Sequence, residues 1–507
     1  MAGVGIIDIG SNTVRLSVVD VRPDGAWVVR HEEKAALRLA ARLQADGSLG
    51  AGAVEDTARV IGDFAAAGAD WGVSLWLAVG TAAVRQATDG PQFVREITRR
   101  TGVPIRLLPA EEEAALGLVG ALNTLDVRDG CAVDIGGGSM EITRFTERRR
   151  LWGVSLSVGA VTAARRFGLE DRATARALRA LGDALQAEAS SVADRFEEAR
   201  GLPLVGIGGS VRALAKLDRR RRRYPLLSMH NYVLAPDTVL ALRAELTAMQ
   251  ARERLHLPGV AADRADLLGA GAALLGWVVE RVRPARLLVS GSGLREGLLY
   301  RHLLRDRPQP LVDDVLASSV QNLERWHGLP PARGDRLAEL ASVLWEALGP
   351  LAGPAGASLG RLAPVASRLR HLGTTISYYD WERHTAYILR EGRLFGVDHR
   401  QRLLLAAAAG YDGAVRLREA LAPYAVILAP DDERLATCLG ITVALAHALD
   451  GAARGRAMPL KISVLPSAVR ITPAAGPSEG LALERGLNED FRKTFGRPLG
   501  LSASGEA

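Results

Sequence analysis

Residues 6–17 read IIDIGSNTVRLS and residues 132–143 read AVDIGGGSMEIT, and the two stretches line up without a gap. Asp8 falls opposite Asp134, Gly10 opposite Gly136, Thr13 opposite Ser139 and Arg15 opposite Glu141. In each copy an apolar stretch enters an Asp-x-Gly turn and leaves with apolar residues alternating with polar ones (Val14, Leu16 and Val18; Met140 and Ile142). Such alternation around a glycine-rich turn is the pattern of a β-hairpin. Its repetition predicts two similar domains, each with a turn able to cradle a phosphate.

Outward from these hairpins, VSLWLAVGTAAVRQATDG (73–90) reads as a buried strand, a loop and the start of a helix. PIRLLPAEEEAALGLVGAL (104–122) reads as a short strand and then a helix with Pro109 at its start. PLVGIGGSVRALAKL (203–217) is strand, Gly-Gly-Ser turn and helix, and ARLLVSGSGLREGLLY (285–300) repeats that layout. Strands alternating with helices predict an α/β class. Near residue 305 the character changes: prolines punctuate Ala/Leu/Arg-rich stretches that read as all-helical to about 455. Beyond lies a short hairpin (LKISVLPSAVRITPA), a helix and a Gly/Ser/Ala tail expected to fray. The expected domains are 1–124, 125–305, 306–456 and a small α+β domain at 457–507.

The whole chain has 507 residues, enough for about three or four domains. Apolar residues are 48% and charged residues 24%, ordinary globular usage, while 5% aromatic content makes the core aliphatic. Cys131 and Cys438 are far apart, which argues against a thiolate zinc site or a disulfide scaffold and fits a reducing compartment. No basic stretch precedes an apolar one at the N-terminus, and no apolar run reaches the ~18–20 residues of a membrane helix. A cytoplasmic protein without membrane contact is expected. The net charge is only +7, but Arg148–Arg150 and the five arginines Arg219–Arg223 are clusters that either attract polyanions or sit on a solvated loop.

Three glycines, Gly136, Gly137 and Gly138, let backbone N–H groups converge as an anion cradle, with Ser139, Asp134 and Glu141 beside it. Hard carboxylate oxygens next to a phosphate cradle suit Mg²⁺. The first copy offers Asp8 and Thr13 in the places of Asp134 and Ser139. Arg85, after a strand, either clamps a phosphate as a planar fork or is an exposed first-turn arginine. Gly208, Gly209 and Ser210, followed by Arg212, form either an anion site at a helix start or a tight-packing turn. Glu111, Glu112 and Glu113 stabilise a helix N-terminus by ~0.3–1 kcal/mol each without any function, yet a hydrolytic site needs a carboxylate to take a proton from water. No GxxxxGK[ST], HExxH or nucleic-acid signature occurs, and no histidine is followed by aspartate. His371 is therefore read as structural, and no nucleic-acid partner is expected.

The ordered set IDIGSNTVRL, VGTAAVRQA, EEEAALG, VDIGGGSMEIT, GIGGSVRALA, LPGVAADRADLLGAG and SGSGLREGLLY resembles the exopolyphosphatase/guanosine pentaphosphate phosphohydrolase (Ppx/GppA) family over about residues 5–303. HLGTTISYYDWERHTAYILR (371–390) more loosely resembles the degenerate His-Asp-hydrolase-like domain of its long members. The resemblance implies two ribonuclease-H-like domains of the actin/Hsp70/sugar-kinase superfamily closing on a cleft. It also implies hydrolysis of a terminal phosphoanhydride aided by Mg²⁺ or another divalent cation such as Mn²⁺, and a homodimer. By the same resemblance Glu113 is the general base, and Asp134 and Glu141, with Asp8, are metal carboxylates. Asn12, Arg85 and Gly136–Ser139 contact the terminal phosphate, with Ser11 and Thr13 in the same turn. Arg212, where the family often has lysine, touches the chain further in, with Gly208, Gly209 and Ser210 alongside. The helical domain is read as a tunnel wall or a dimer interface.

The expected activity is exopolyphosphatase, processive release of orthophosphate from inorganic polyphosphate, because the basic runs suit a long polyanion. The alternative is removal of the 5′-terminal phosphate of guanosine pentaphosphate (pppGpp). A kinase of the same superfamily and a non-catalytic polyphosphate-binding regulator are the readings from other classes.

Overall fold

The computed structural model describes residues 2–452, 460–473 and 485–501. The chain forms two compact units, one of residues up to Tyr224 with Ser228–Val315, the other of Pro225–Leu227 with Leu316 onward.

The first unit is built on two sheets. Strands β1 (Ala2–Ile9), β2 (Val14–Val21), β3 (Trp27–Ala35), β4 (Val73–Gly80) and β5 (Ile105–Leu107) lie in the order β3-β2-β1-β4-β5. The first three form an antiparallel meander, and β4 and β5 continue in parallel. Strands β6 (Gly130–Ile135), β7 (Met140–Thr146), β8 (Arg149–Leu156), β9 (Leu204–Ile207), β10 (Tyr232–Leu234) and β11 (Leu287–Val289) lie in the order β10-β11-β9-β6-β7-β8. The series β6, β7, β8, β9, β11 retraces β1 to β5, and β10 adds an antiparallel edge. The repeat read in the sequence is therefore a repeat of the fold. In register, Asp8 pairs with Arg15 across the first hairpin and Asp134 with Glu141 across the second.

Parallel neighbours require crossovers, supplied in the first lobe by α1 (Gly50–Asp70), then α2 (Ala82–Gln86) and α3 (Gly90–Thr101), with α4 (Ala110–Leu122) closing it. The loop expected after β4 is instead the short helix α2, begun where Arg85 N–H bonds back to Thr81 O at 2.9 Å. The second lobe carries α5 (Ala160–Phe167), α6 (Ala175–Glu188), α7 (Gly208–Arg221), α8 (Pro236–Ala248), α9 (Ala251–Arg254), α10 (Ala265–Val282) and α11 (Leu294–Leu303). The core between sheets and helices is aliphatic: Ile7, Ile9, Val14 and Leu16 in one lobe, Val133, Ile135, Ile142 and Leu275 in the other.

The lobes exchange their last helices. Leu118, Ala121 and Leu122 of α4 pack with Ala132, Val205, Ile207 and Leu288 of the second sheet. In return α11 packs on the first sheet, where its Tyr300 meets Trp27 of β3 edge-on with centroids 5.9 Å apart. The helices touch backbone to backbone: a Cβ on Gly120 would lie 2.0 Å from Gly293 O, and one on Gly297 2.0 Å from Leu116 O. Residues without side chains are what permit so close a crossing. It sets the start of α4, with its glutamates, between the two sheets.

One buried cation organises the second lobe. Arg254 is fully buried, and its guanidinium donates to the carbonyls of Leu246, Glu170, Ala265, Asp171 and Met249 at 2.8–3.2 Å. All five of its donors are thereby used, and the chain on either side of α9 is tied to the start of α10.

The second unit is helical from α12 (Val315–His327) through α13 (Pro331–Leu348), α14 (Pro354–Ala357), α15 (Leu362–Leu369), α16 (Trp381–Glu391), α17 (His399–Ala409) and α18 (Ala414–Leu421) to α19 (Asp432–Ala452). His371 packs against Trp381 and His447, with ring centroids 4.6 and 5.0 Å away. The hairpin expected near the end is β12 (Leu460–Val464) with β13 (Val469–Pro473), followed by α20 (Arg485–Phe495). A third strand, β14 (Leu499–Leu501), returns parallel to β13 within the stretch expected to fray. The remainder of that tail lies outside the described residues. Among the described residues no helix is long and apolar enough to cross a membrane.

Candidate active site

The two glycine-rich turns are built alike and face each other. Gly10 N–H donates to Thr13 O at 3.1 Å, and Gly136 N–H to Ser139 O at 3.0 Å. Each turn is held by the segment that follows the third strand of its own sheet. Arg38 and Ala40 donate to Asn12 O and Ser11 O, while Ala160 and Val161 donate to Gly136 O and Gly137 O, all at 2.9–3.0 Å. A Cβ on Gly137 would come 2.9 Å from Ser11 Cβ, and one on Gly138 2.7 Å from Ser11 Oγ. The turns meet that closely only because one of them is glycine.

They bound a cleft of about 140 Å³. Asp8, Ser11, Asn12 and Thr13 line it from the first lobe, Asp134 and Gly136–Ser139 from the second, and Gly208–Ser210 with Arg212 from the start of α7. Glu113, in the first turn of α4, enters from the side. The three glutamates diverge: Glu112 turns to Arg106 at 2.6 Å and to Arg301, while Glu113 points inward. Glu113 Oε2 accepts from Arg85 Nη1 at 2.7 Å, and the same nitrogen donates to Leu108 O at 2.8 Å.

Burial dominates the electrostatics. It raises the Glu113 carboxyl to about 7, against the pull of Arg85 and with a push from Asp8 and Asp134. It raises Asp134 to about 6, although Arg212 lowers it. Asp8 is also raised by burial, with Arg295 and Arg15 opposing. Glu141 is pushed up to about 8 by burial and by Glu113 and Asp134 nearby. Removing water from four neighbouring carboxyls favours their neutral forms until a cation compensates.

Cations line the rest of the cleft: Arg15, Arg212, Arg264 and Arg295. Burial, then Arg295 and Arg212, lower the Arg15 guanidinium to about 10. Arg212 donates to Ser290 O at 3.3 Å, and Arg295 pairs with Glu32 at 2.8 Å and donates to Ser17 Oγ. Buried guanidiniums that repel one another are the complement of a ligand with several negative charges.

Most residues singled out in the sequence converge here, and two stand apart. Arg85 does not line the cleft, because its guanidinium is turned onto Glu113 and Leu108. Glu141 stands behind the lining and accepts from Ser155 Oγ at 3.0 Å. Arg15, Arg264, Arg295 and Glu296 line the cleft without having been assigned a role. For Arg15 the available signal is its place opposite Asp8 in the hairpin; Arg264 and Arg295 lie inside LPGVAADRADLLGAG and SGSGLREGLLY, at the starts of α10 and α11. The Arg219–Arg223 run is not a loop. Arg219–Arg221 end α7, Arg221 is paired with Glu245 at 2.6 Å, and Arg222 lies 3.8 Å from Asp218. Arg148 is likewise engaged by the carbonyls of Leu122 and Val312.

Among the described residues no three His, Cys, Asp or Glu side chains form a ready metal cage. Mg²⁺ asks for less, one or two carboxylates completed by waters and substrate phosphates. Asp8 Oδ1 and both polar atoms of the Asn12 amide are buried with no hydrogen-bond partner. Orphaned polar atoms are costly, and these hard donors beside Asp134 fit such an ion together with a phosphate.

The duplicated sheets closing on one cleft place the chain in the actin-like class. It belongs to the Ppx/GppA phosphatase family, a family of phosphoanhydride hydrolases: residues 18–306 match that family and residues 315–463 match its domain III. Among curated relatives, the Guanosine-5'-triphosphate,3'-diphosphate pyrophosphatase of Vibrio cholerae serotype O1 is 27% identical over 399 residues, 78% of each chain. The protein of that name from Vibrio campbellii is 27% identical over 402 residues, 79% of this chain and 78% of the relative. Among solved structures, an Aquifex aeolicus member of the family superposes with a TM-score of 0.52 at 26% identity, covering 60% of this chain and 99% of that one. An exopolyphosphatase from Cytophaga hutchinsonii gives 0.56 at 24% identity, covering 59% and 97%, a likeness of fold.

Proposed function

We propose that this chain removes the 5′-terminal phosphate of guanosine pentaphosphate, releasing orthophosphate and the tetraphosphate. The observation that carries hydrolysis is Glu113: a buried carboxylate raised to about 7, at the mouth of facing phosphate turns. A general base works best with a pKa near the operating pH. The relatives that share 78% of the chain bear the name of the nucleotide activity. Arg148, Arg221 and Arg222 of the basic runs that favoured linear polyphosphate are engaged within the fold, which weakens the argument for it made from sequence.

The terminal phosphate enters between the Ser11–Thr13 and Gly136–Ser139 turns, where backbone N–H groups and Asn12 receive its oxygens. Glu113 accepts a proton from a water aligned with the terminal phosphorus. The new P–O bond forms as the bridging bond to the leaving phosphate breaks. The departing oxygen keeps the electron pair, and Arg212, Arg264 and Arg15 stabilise its charge. Asp8 and Asp134 would hold Mg²⁺, which when bound neutralises phosphate oxygens.

Exopolyphosphatase is the second reading, favoured by the same wall of arginines, which a linear polyphosphate would fill equally well. Phosphate release from pppGpp and from long-chain polyphosphate, measured in parallel with Mg²⁺ and with EDTA, separates them. A higher kcat/KM for pppGpp supports the proposal. A higher value for polyphosphate replaces it with the second reading, and activity on neither leaves a binding protein.

A further inference from the structure

The segment that closes the first phosphate turn also reaches the opposite lobe. Lys34, next to the last residue of β3, pairs with Asp263 at 2.5 Å. Arg38 donates through Nη1 to Asp266 Oδ2 at 2.8 Å and through Nη2 to Asp263 O at 3.2 Å. Ala41 O accepts from Arg165 of α5 at 2.6 Å. Asp263 and Asp266 flank Arg264, one of the four arginines of the cleft.

Arg38 is the point where these contacts meet the site. Its backbone N–H holds Asn12 O, and Asn12 carries the orphaned amide in the phosphate turn. Its guanidinium holds the two acidic residues around Arg264. Its backbone is left-handed, with φ 52°, a conformation unfavourable for an arginine that persists where surrounding contacts hold it. Neither the repeat nor the catalytic groups require arginine at this position.

We propose that Arg38 is a positioning residue, a latch that joins the first phosphate turn to the Arg264 segment, so that the closed cleft presents Asn12 and Arg264 to one substrate together. Opening the latch separates the two contacts and weakens substrate binding while Glu113 and its water are untouched. The kinetic consequence rests on the phosphohydrolase reading; the geometric consequence does not.

The test uses the full-length chain with Arg38→Asn, which tolerates left-handed backbone, with Asp266→Asn, and with both together. KM for pppGpp rises roughly two- to five-fold in each single variant, as expected for a half-exposed charge pair. kcat stays within about two-fold, and the double variant is no worse than either single one because the partners share one interaction. The readout independent of activity is the distance between labels on Gln92→Cys in α3 and Ala187→Cys in α6, both exposed; the native Cys131 and Cys438 are buried. The distance lengthens or broadens when the latch is removed, whatever the substrate. Unchanged distances in both single variants overturn the latch. A lowered melting temperature with unchanged KM and distance reduces Arg38 to a structural residue and overturns it equally.

Discussion

Arg85 Nη1 lies 2.7 Å from Glu113 Oε2, joining a short helix of the first sheet to the first turn of the helix that crosses to the second. Both side chains are about four-fifths buried. The pair sets how readily Glu113 takes a proton: burial raises its pKa, and Arg85 is the largest influence lowering it.

Arg85→Ala therefore moves the acid limb of the pH–rate profile upward. Without the guanidinium the carboxyl is ionised only at higher pH, so activity at pH 7 falls while part returns near pH 9. A profile of kcat/KM against pH checks this, and an unmoved acid limb would separate Arg85 from the base.

Stability follows pH with a definite sign. Burial raises Asp134 to about 6, Glu113 to about 7 and Glu141 to about 8, each above its ordinary value. Each carboxyl binds its proton more tightly folded than unfolded. Its contribution is complete below about pH 4 and is lost as pH rises through 6 to 8. The metal-free protein should melt roughly 5 °C or more lower at pH 8.5 than at pH 5, and Mg²⁺ should restore more at pH 8.5. Calorimetry with EDTA and with Mg²⁺ reads both.

Gly137→Ala should separate the phosphate turns, since its Cβ would sit 2.9 Å from Ser11 Cβ and 3.3 Å from Asn12 N. A displacement of that order costs about 10²-fold in kcat/KM while most of the stability survives. Activity within a few-fold of wild type would mean that the turns need not meet.

Arg254→Met exposes the opposite weakness. Five carbonyls lose their donor at once, and with about 1–3 kcal/mol for an unsatisfied buried group the second lobe loses at least about 3 kcal/mol. Urea denaturation measures the loss.

Much of the fold and of the cleft is legible in the amino-acid sequence. The paired hairpins are visible because the same Asp-x-Gly turn recurs in the same frame, and a strand's two-residue period fixes which side chains share a face. Asp8, Asp134 and the Gly136–Ser139 loop follow from that frame, whereas Asn12 stands out only through the family resemblance. The exchange of α4 and α11 leaves no mark on local pattern, because neither helix carries a strongly one-sided apolar face that would assign it to one sheet. Arg264 and Arg295 reach the cleft only through long-range packing, so their motifs show that they matter but not where they point. The five consecutive arginines are only partly legible, since a charge run does not reveal that Glu245 lies beside Arg221 in space.

The most direct test of the account is Glu113→Gln. Phosphate release from pppGpp is measured alongside equilibrium binding of the same nucleotide. The account predicts a loss of about 10²- to 10⁴-fold in turnover with binding within a few-fold of wild type. Turnover comparable to wild type would contradict it, and would return Glu113 to the role of a helix-start glutamate.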